Sequence, residues 1–264
     1  MQDNFSCAAT PIGTTKKLID SRDEQEYLVS RLPDGKCWML DNLRLDPANQ
    51  TTAANMNETN TNATNTAIAN YLGTTFTPTT GWSTVAVADI DTGFDSYTEP
   101  MINNASLDYE VTSYGSAAIS GNAKVGIYYN YCAATVGTYC YDRNSGVGNA
   151  NYDLCPAGWR MPTGGANGEY QSLCNVVYGG VCTSGVSMIA TDANSLQYNL
   201  STPLSGYYYG SQANSRGNFG DFWSSTRYGS TGNAMYYLLI FPSVVYPQYT
   251  SFNRDFGLAM RCVH

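Results

Sequence analysis

Cys155-Pro156-Ala157-Gly158-Trp159-Arg160-Met161-Pro162-Thr163, a loop from Gly164 to Gly168, and then Glu169-Tyr170-Gln171-Ser172-Leu173-Cys174-Asn175-Val176-Val177-Tyr178-Gly179-Gly180 form the stretch that orders the rest of the chain. Tyr170, Leu173, Cys174 and Val177 fall at i, i+3, i+4 and i+7, which gathers apolar side chains on one face of a helix. Asn167 is the expected N-cap and Gly179 the expected C-cap. No other segment has such convincing helical periodicity.

Outward from that helix the pattern is one of strands. Toward the N-terminus, Lys17 to Asp20, Glu26 to Leu32 and Cys37 to Leu40 read as strands, the last two joined by a Pro33-Asp34-Gly35 turn. Residues 46 to 66 are a Thr/Asn/Ala tract, expected as an exposed loop or a weak polar helix. A Gly/Thr/Ser-rich stretch holding Trp82, Phe94 and Tyr97 continues the polar insertion to about residue 126. Ile127 to Tyr131 is a strand candidate. Toward the C-terminus, Phe222 to Ser225, Met235 to Phe241, Val244 to Tyr246 and Leu258 to Val263 are expected strands. Trp38, Trp159 and Trp223 each sit in a short apolar run and are expected in the core. With no linker and no repeat of solenoid period, the expectation is one α+β domain over residues 1–264 with a polar insertion at about 46–126.

Composition excludes several functions. Lys+Arg 13 against Asp+Glu 21 gives a net charge of -8, so no basic face exists to displace counterions from nucleic acid or to meet an anionic membrane. Charged residues are 13% of the 264, about half the usual share, while there are 22 Tyr. The surface must therefore be dressed in Asn, Ser, Thr and Tyr. The one histidine is His264, expected at a frayed terminus, which removes His-based triads and His-rich zinc sites. No Asp/Glu cluster has calcium-loop spacing, so neither metal nor cofactor is expected, and an enzyme is disfavoured. The apolar run Ala234 to Tyr246 is interrupted and too short to span a bilayer.

Eight cysteines, Cys7, Cys37, Cys132, Cys140, Cys155, Cys174, Cys182 and Cys262, include no C-x-x-C pair, so disulfides are a better account than zinc or redox sites. Cys132 with Cys140 and Cys174 with Cys182 are spaced as local clips. The other four are left for longer closures. Oxidised cysteines imply an extracellular, cell-surface or virion setting, yet Met1-Gln2-Asp3-Asn4 begins no signal peptide. An export or anchoring segment is therefore expected to lie outside this chain.

Three motifs carry a family resemblance. Gly35-Lys36-Cys37-Trp38-Met39-Leu40-Asp41-Asn42-Leu43 is similar to G-x-x-W-M-x-x-N-L, and Cys155 to Thr163 followed by Glu169 to Leu173 to C-P-x-G-W-R-L-P-T with E-W-x-x-L. Phe222-Trp223-Ser224-Ser225-Thr226, with Arg254-x-x-Gly257 and Arg261-Cys262-Val263, is similar to the closing motifs. In this order they resemble the Fibrobacter succinogenes major paralogous domain family. Gly164 to Gly168 lengthens the usual spacing. The resemblance implies a C-type lectin-like fold, a Cys155–Cys262 pairing that leaves Cys7 with Cys37, and ligand binding on a C-terminal face, as in variable proteins of diversity-generating retroelements. Formylglycine-generating relatives use thiols, but here every cysteine has an expected partner.

The ligand-binding and variable segment is then about 223–263. Its candidate contacts are Arg227, Tyr228, Ser230, Tyr237, Leu239, Phe241, Ser243, Val244, Tyr246, Tyr249, Thr250, Ser251, Phe252, Asp255 and Phe256. Tyr and Ser supply rigid amphipathic area and adaptable hydrogen bonds, as in antibody loops. Alternation puts Tyr237, Leu239 and Phe241 on one strand face and Tyr236, Leu238 and Ile240 on the other. Both faces are apolar, which fits either a doubly buried strand or one with a recognition face. Arg160, Arg254 and Arg261 are expected to make structural hydrogen bonds. The expected partner is a protein or other macromolecular surface ligand. The competing expectation is a structural subunit of a surface appendage.

Overall fold

The computed structural model describes residues 5–73, 77–78, 101–103, 110–114, 117–138, 148–183, 185–187, 195–210, 212–229 and 234–264. At the N-terminus Thr15–Ile19 (β1), Glu26–Arg31 (β2) and Cys37–Met39 (β3) form an antiparallel sheet in the order β1-β2-β3. The β2–β3 turn needs Gly35 at φ 82°, and the Asp34 carboxylate accepts hydrogen bonds from Lys36 N and Trp38 Nε1.

The Thr/Asn/Ala tract forms two short helices, Gln50–Asn55 (α1) and Asn65–Leu72 (α2). Their caps explain them: Asn49 accepts from Thr51 N and Thr52 N, and Thr64 from Ala67 N. Burial of Ile68 and Tyr71 anchors α2. Beyond lie Thr77–Pro78 (β4), Met101–Asn103 (β5), Glu110–Tyr114 (β6) and Ala117–Lys124 (β7). β4 and β5 join Tyr128–Tyr129 (β8) in one sheet, while β6 pairs with β7. Trp82, Phe94 and Tyr97 lie outside the described residues.

The expected strand Ile127–Tyr131 is only half a strand. Asn130 Oδ1 accepts from Ala133 N, and that cap starts the helical turn Tyr131–Ala134 (α3). After Gly148–Asn149 (β9), helix α4 spans Glu169–Tyr178 and buries Tyr170, Leu173, Cys174 and Val177 on one face, as the periodicity requires. Gly179 closes it in the left-handed region. The N-cap is Gly168 rather than Asn167, and Glu169 N donates to Thr163 Oγ1 at 2.9 Å. The extra loop residues double back so that Thr163 serves the helix start. Gly164 permits this, since a Cβ there would fall 2.6 Å from Tyr236 Cβ.

Val186–Ser187 (β10) and Leu196–Leu200 (α5) lead to a hairpin of Tyr207–Tyr209 (β11) and Gln212–Asn214 (β12). Gly220–Arg227 (β13), Met235–Ile240 (β14) and Val244–Tyr249 (β15) then complete a five-stranded antiparallel sheet ordered β10-β15-β14-β13-β9. This sheet separates two apolar clusters. Trp223, Met235, Tyr237 and Leu239 belong to one; Phe222, Leu238, Ile240 and Val245 belong to the other, which includes the buried face of α4. The fold is mixed helix and antiparallel sheet with few helices.

Leu258 to Val263 is not the expected strand. Its bridged residues pair with different elements: Leu258 with Tyr129, Ala259 with Phe222, and Val263 with both Trp38 and Arg160. The run threads between sheets instead of extending one ladder. Disulfides Cys7–Cys37, Cys155–Cys262 and Cys174–Cys182 are formed. Cys132 is disulfide-bonded as well, while Cys140 lies outside the described residues. His264 is not frayed: its ring packs edge-on against Phe5 and Trp159, and its backbone N donates to Cys37 O.

Candidate binding face

The register of β13, β14 and β15 sets side chains on one sheet face in rows. Asp221, Leu239 and Tyr246 are opposite one another, and so are Trp223, Tyr237 and Tyr249. Ring contacts close a circuit around this face. It runs from Tyr207 to Phe219 (5.9 Å between centroids), Phe241 (5.3 Å), Tyr246 (6.1 Å), Tyr249 (5.3 Å), Tyr237 (5.6 Å), Phe252 (5.0 Å) and back to Tyr207 (4.7 Å). Phe256 and Tyr209 extend it, stacked at 4.2 Å. The closed approach of Gly185 fixes Tyr246, because a Cβ there would fall 2.6 Å from the ring. Ser251 Oγ hydrogen-bonds the Tyr237 hydroxyl at 2.6 Å.

The candidates from the sequence divide. Phe241, Val244, Tyr246, Thr250, Phe252 and Phe256 are half-buried, Ser243 and Ser251 are exposed, and Tyr249 is 38% exposed. Tyr237 at 1% and Leu239 at 5% are core residues, which decides for a β14 buried on both sides. Arg227 is buried with its Nε toward Gly148 O, so it ties β13 to β9, and Asp255 is buried too. Tyr228 is 46% exposed but meets Tyr236 rather than the circuit. Ser230 lies outside the described residues.

The charges of the motifs are structural. Glu169 is gripped by Arg160 Nη1 and Nη2, by Lys36 Nζ at 2.5 Å and by Thr163 N at 3.0 Å. Burial alone would raise its pKa, but these partners outweigh burial and hold the carboxyl down at about 2. Arg261 donates to Asn42 Oδ1 and to the carbonyls of Met39 and Leu200. Trp38, Trp159 and Trp223 are buried.

Sequence reasoning missed four members of the face. Tyr207 and Tyr209 come from the β11–β12 hairpin, Phe219 precedes β13, and Asp221 lies within it. Gly206-Tyr207-Tyr208-Tyr209-Gly210 did carry a signal: alternation buries Tyr208 and turns its two neighbours the other way. Asp221 is 0% exposed and neither carboxylate oxygen has a hydrogen-bond partner. Burial alone pushes its pKa well above the usual carboxylate range. A polar cleft of about 480 Å³ lies elsewhere, lined by Arg22, Asp23, Arg44, Asp46 and Asn49 among others. Among the described residues no group of three or more His, Cys, Asp or Glu is placed to hold a metal, and no helix is long and apolar enough to cross a membrane.

Compared with known proteins, the chain matches no family model, no curated protein and no solved structure.

Proposed function

We propose that this chain is a ligand-binding protein displayed outside the cell or on a virion, with a C-type lectin-like framework that presents the β13–β15 face to a protein or other macromolecular ligand. The closed circuit of aromatic rings, rimmed by Ser243, Thr250 and Ser251, carries the reading. Large rings with two side-chain torsions and small hydroxyls are the composition of an adaptable recognition surface. The disulfides suit an oxidising compartment. The motif resemblance supports a further reading, that residues 227 to 258 are the variable region of a diversity-generating retroelement target.

The binding test is a screen of the protein against arrayed surface proteins and glycans, alongside a Tyr246→Ser/Tyr249→Ser variant. Capture lost in the variant, at a nearly unchanged melting temperature, is the expected result; capture unaffected by both changes refutes the assigned face. Diversification is tested by sequencing many copies of the gene, with differences expected at adenine-rich codons between 227 and 258. Concentration-dependent self-association in the ultracentrifuge would favour the appendage subunit instead.

A further inference from the structure

We infer that the aromatic circuit is a cation site, taking the alkylammonium or guanidinium group of a lysine or arginine on a partner protein, with Asp221 as the counter-charge on its floor. The inference rests on the binding face proposed above and names the chemistry of its ligand. The strand register puts Asp221 directly opposite Leu239, one row from Tyr237, and therefore inside the circuit. Phe222, the next residue, faces the other cluster.

A buried carboxyl with no hydrogen bond is costly, and folded chains rarely keep one without a use. Tyr207, Phe219, Tyr237, Tyr246, Tyr249 and Phe252 surround it with π faces that carry partial negative charge. The chain as a whole carries -8, which favours a cationic partner. Asp221 can be charged at low cost only beside a cation, which neither an anion nor a purely apolar plug would supply. Among the described residues, the groups near this floor that can titrate or carry charge are the phenols of Tyr207, Tyr237, Tyr246 and Tyr249, together with Arg254 and Asp255 on the Phe252–Phe256 segment. The Tyr237 phenol is raised chiefly by burial, with Asp221 adding to the effect. Asp221 is fully covered, so a half-buried rim ring such as Tyr207, Phe219 or Phe252 must turn aside to admit the ligand.

Proton balance follows from the chemistry. The neutral acid and an incoming R-NH3+ give a carboxylate–ammonium pair and release one proton to the buffer. The probes are n-butylammonium, methylguanidinium and N-acetyl-lysine methylamide, titrated by NMR and by calorimetry in two buffers of different ionisation heat. Saturable binding with proton release is expected in the wild type. In Asp221→Asn it should weaken about tenfold or more, with proton release abolished. Should that variant fold poorly, Asp221→Leu makes the same comparison without a buried polar atom. Equal affinity in wild type and variant, or no saturable binding of any probe, overturns the inference. Binding of n-butylammonium without the lysine amide overturns the protein-borne source. Loss of macromolecular capture in the Tyr246/Tyr249 variant without any cation binding would sink this inference and leave the binding face standing.

Discussion

Two carboxyl groups of opposite fate define the molecule at residue scale. Glu169 is held at about 2 by Arg160 and Lys36, against its ordinary 4.5. Its stabilisation is present above its unfolded pKa and lost as pH falls toward 2. Glu169→Gln should cost about 1–3 kcal/mol at pH 7, less than a fully buried pair because Arg160 and Lys36 both reach solvent. The variant should also lose less stability between pH 4 and 2 than the wild type, read from urea melts. Asp221 has the opposite sign. Its folded pKa is raised, so its contribution is complete only below the unfolded value of 3.8 and is lost as pH rises. Asp221→Leu should raise the melting temperature at pH 7 by several degrees, equivalent to about 1–3 kcal/mol, and by much less at pH 3.5. An unchanged or lower melting temperature at pH 7 would show that the carboxyl is satisfied in solution. Glu169 was legible because it sits in a spaced motif; Asp221 was not, because one acid in a strand has no sequence signature of burial.

At the scale of elements, β14 is the instructive case. Its two apolar faces left the sequence with two readings, and only the packing of α4 on one side and the aromatic circuit on the other decides between them. Tyr237→Ser should therefore destabilise by about 3–5 kcal/mol, as for removal of a large buried aromatic, whereas Tyr249→Ser should cost under about 1 kcal/mol. Parallel thermal melts check this, and equal costs would contradict the burial pattern. Helix α4 and strands β1–β3 and β13–β15 were visible because periodicity and turn residues agree there. The run 258–263 was misread because an apolar run predicts an extended backbone but not which neighbours it pairs with. Asn130 was passed over as a cap for the same kind of reason: a polar residue amid tyrosines fits a strand equally well until its side chain is seen bonding Ala133 N.

Over the whole molecule, the long closures matter more than the local clips. Cys155–Cys262 spans 107 residues and Cys174–Cys182 spans 8. Chain entropy assigns them about 5 and about 2.5 kcal/mol respectively. Replacing both members of each pair by Ala should preserve that order in denaturant midpoints, and a reversed order would mean that α4 depends on its clip for more than loop closure. The cysteine count foretold an oxidised scaffold, and the family resemblance paired two bridges as the structure has them. Most of the insertion gave no such handle, since Thr, Asn and Gly specify turns and caps but no partner. The aromatic circuit was half visible: its C-terminal rings lie in the expected segment, while those from residues 207 to 219 arrive through a hairpin that no motif announces.

The threaded run from Gly257 to Val263 has a kinetic consequence. Backbone bonds link it to β3, Tyr129, β13 and Arg160, so both apolar clusters close around residues that are translated after nearly everything they touch. A nascent chain shorter than that must lack a finished core however long its N-terminal sheet has been outside the ribosome. Closure of both clusters therefore waits on this run, however early the elements that precede it have formed.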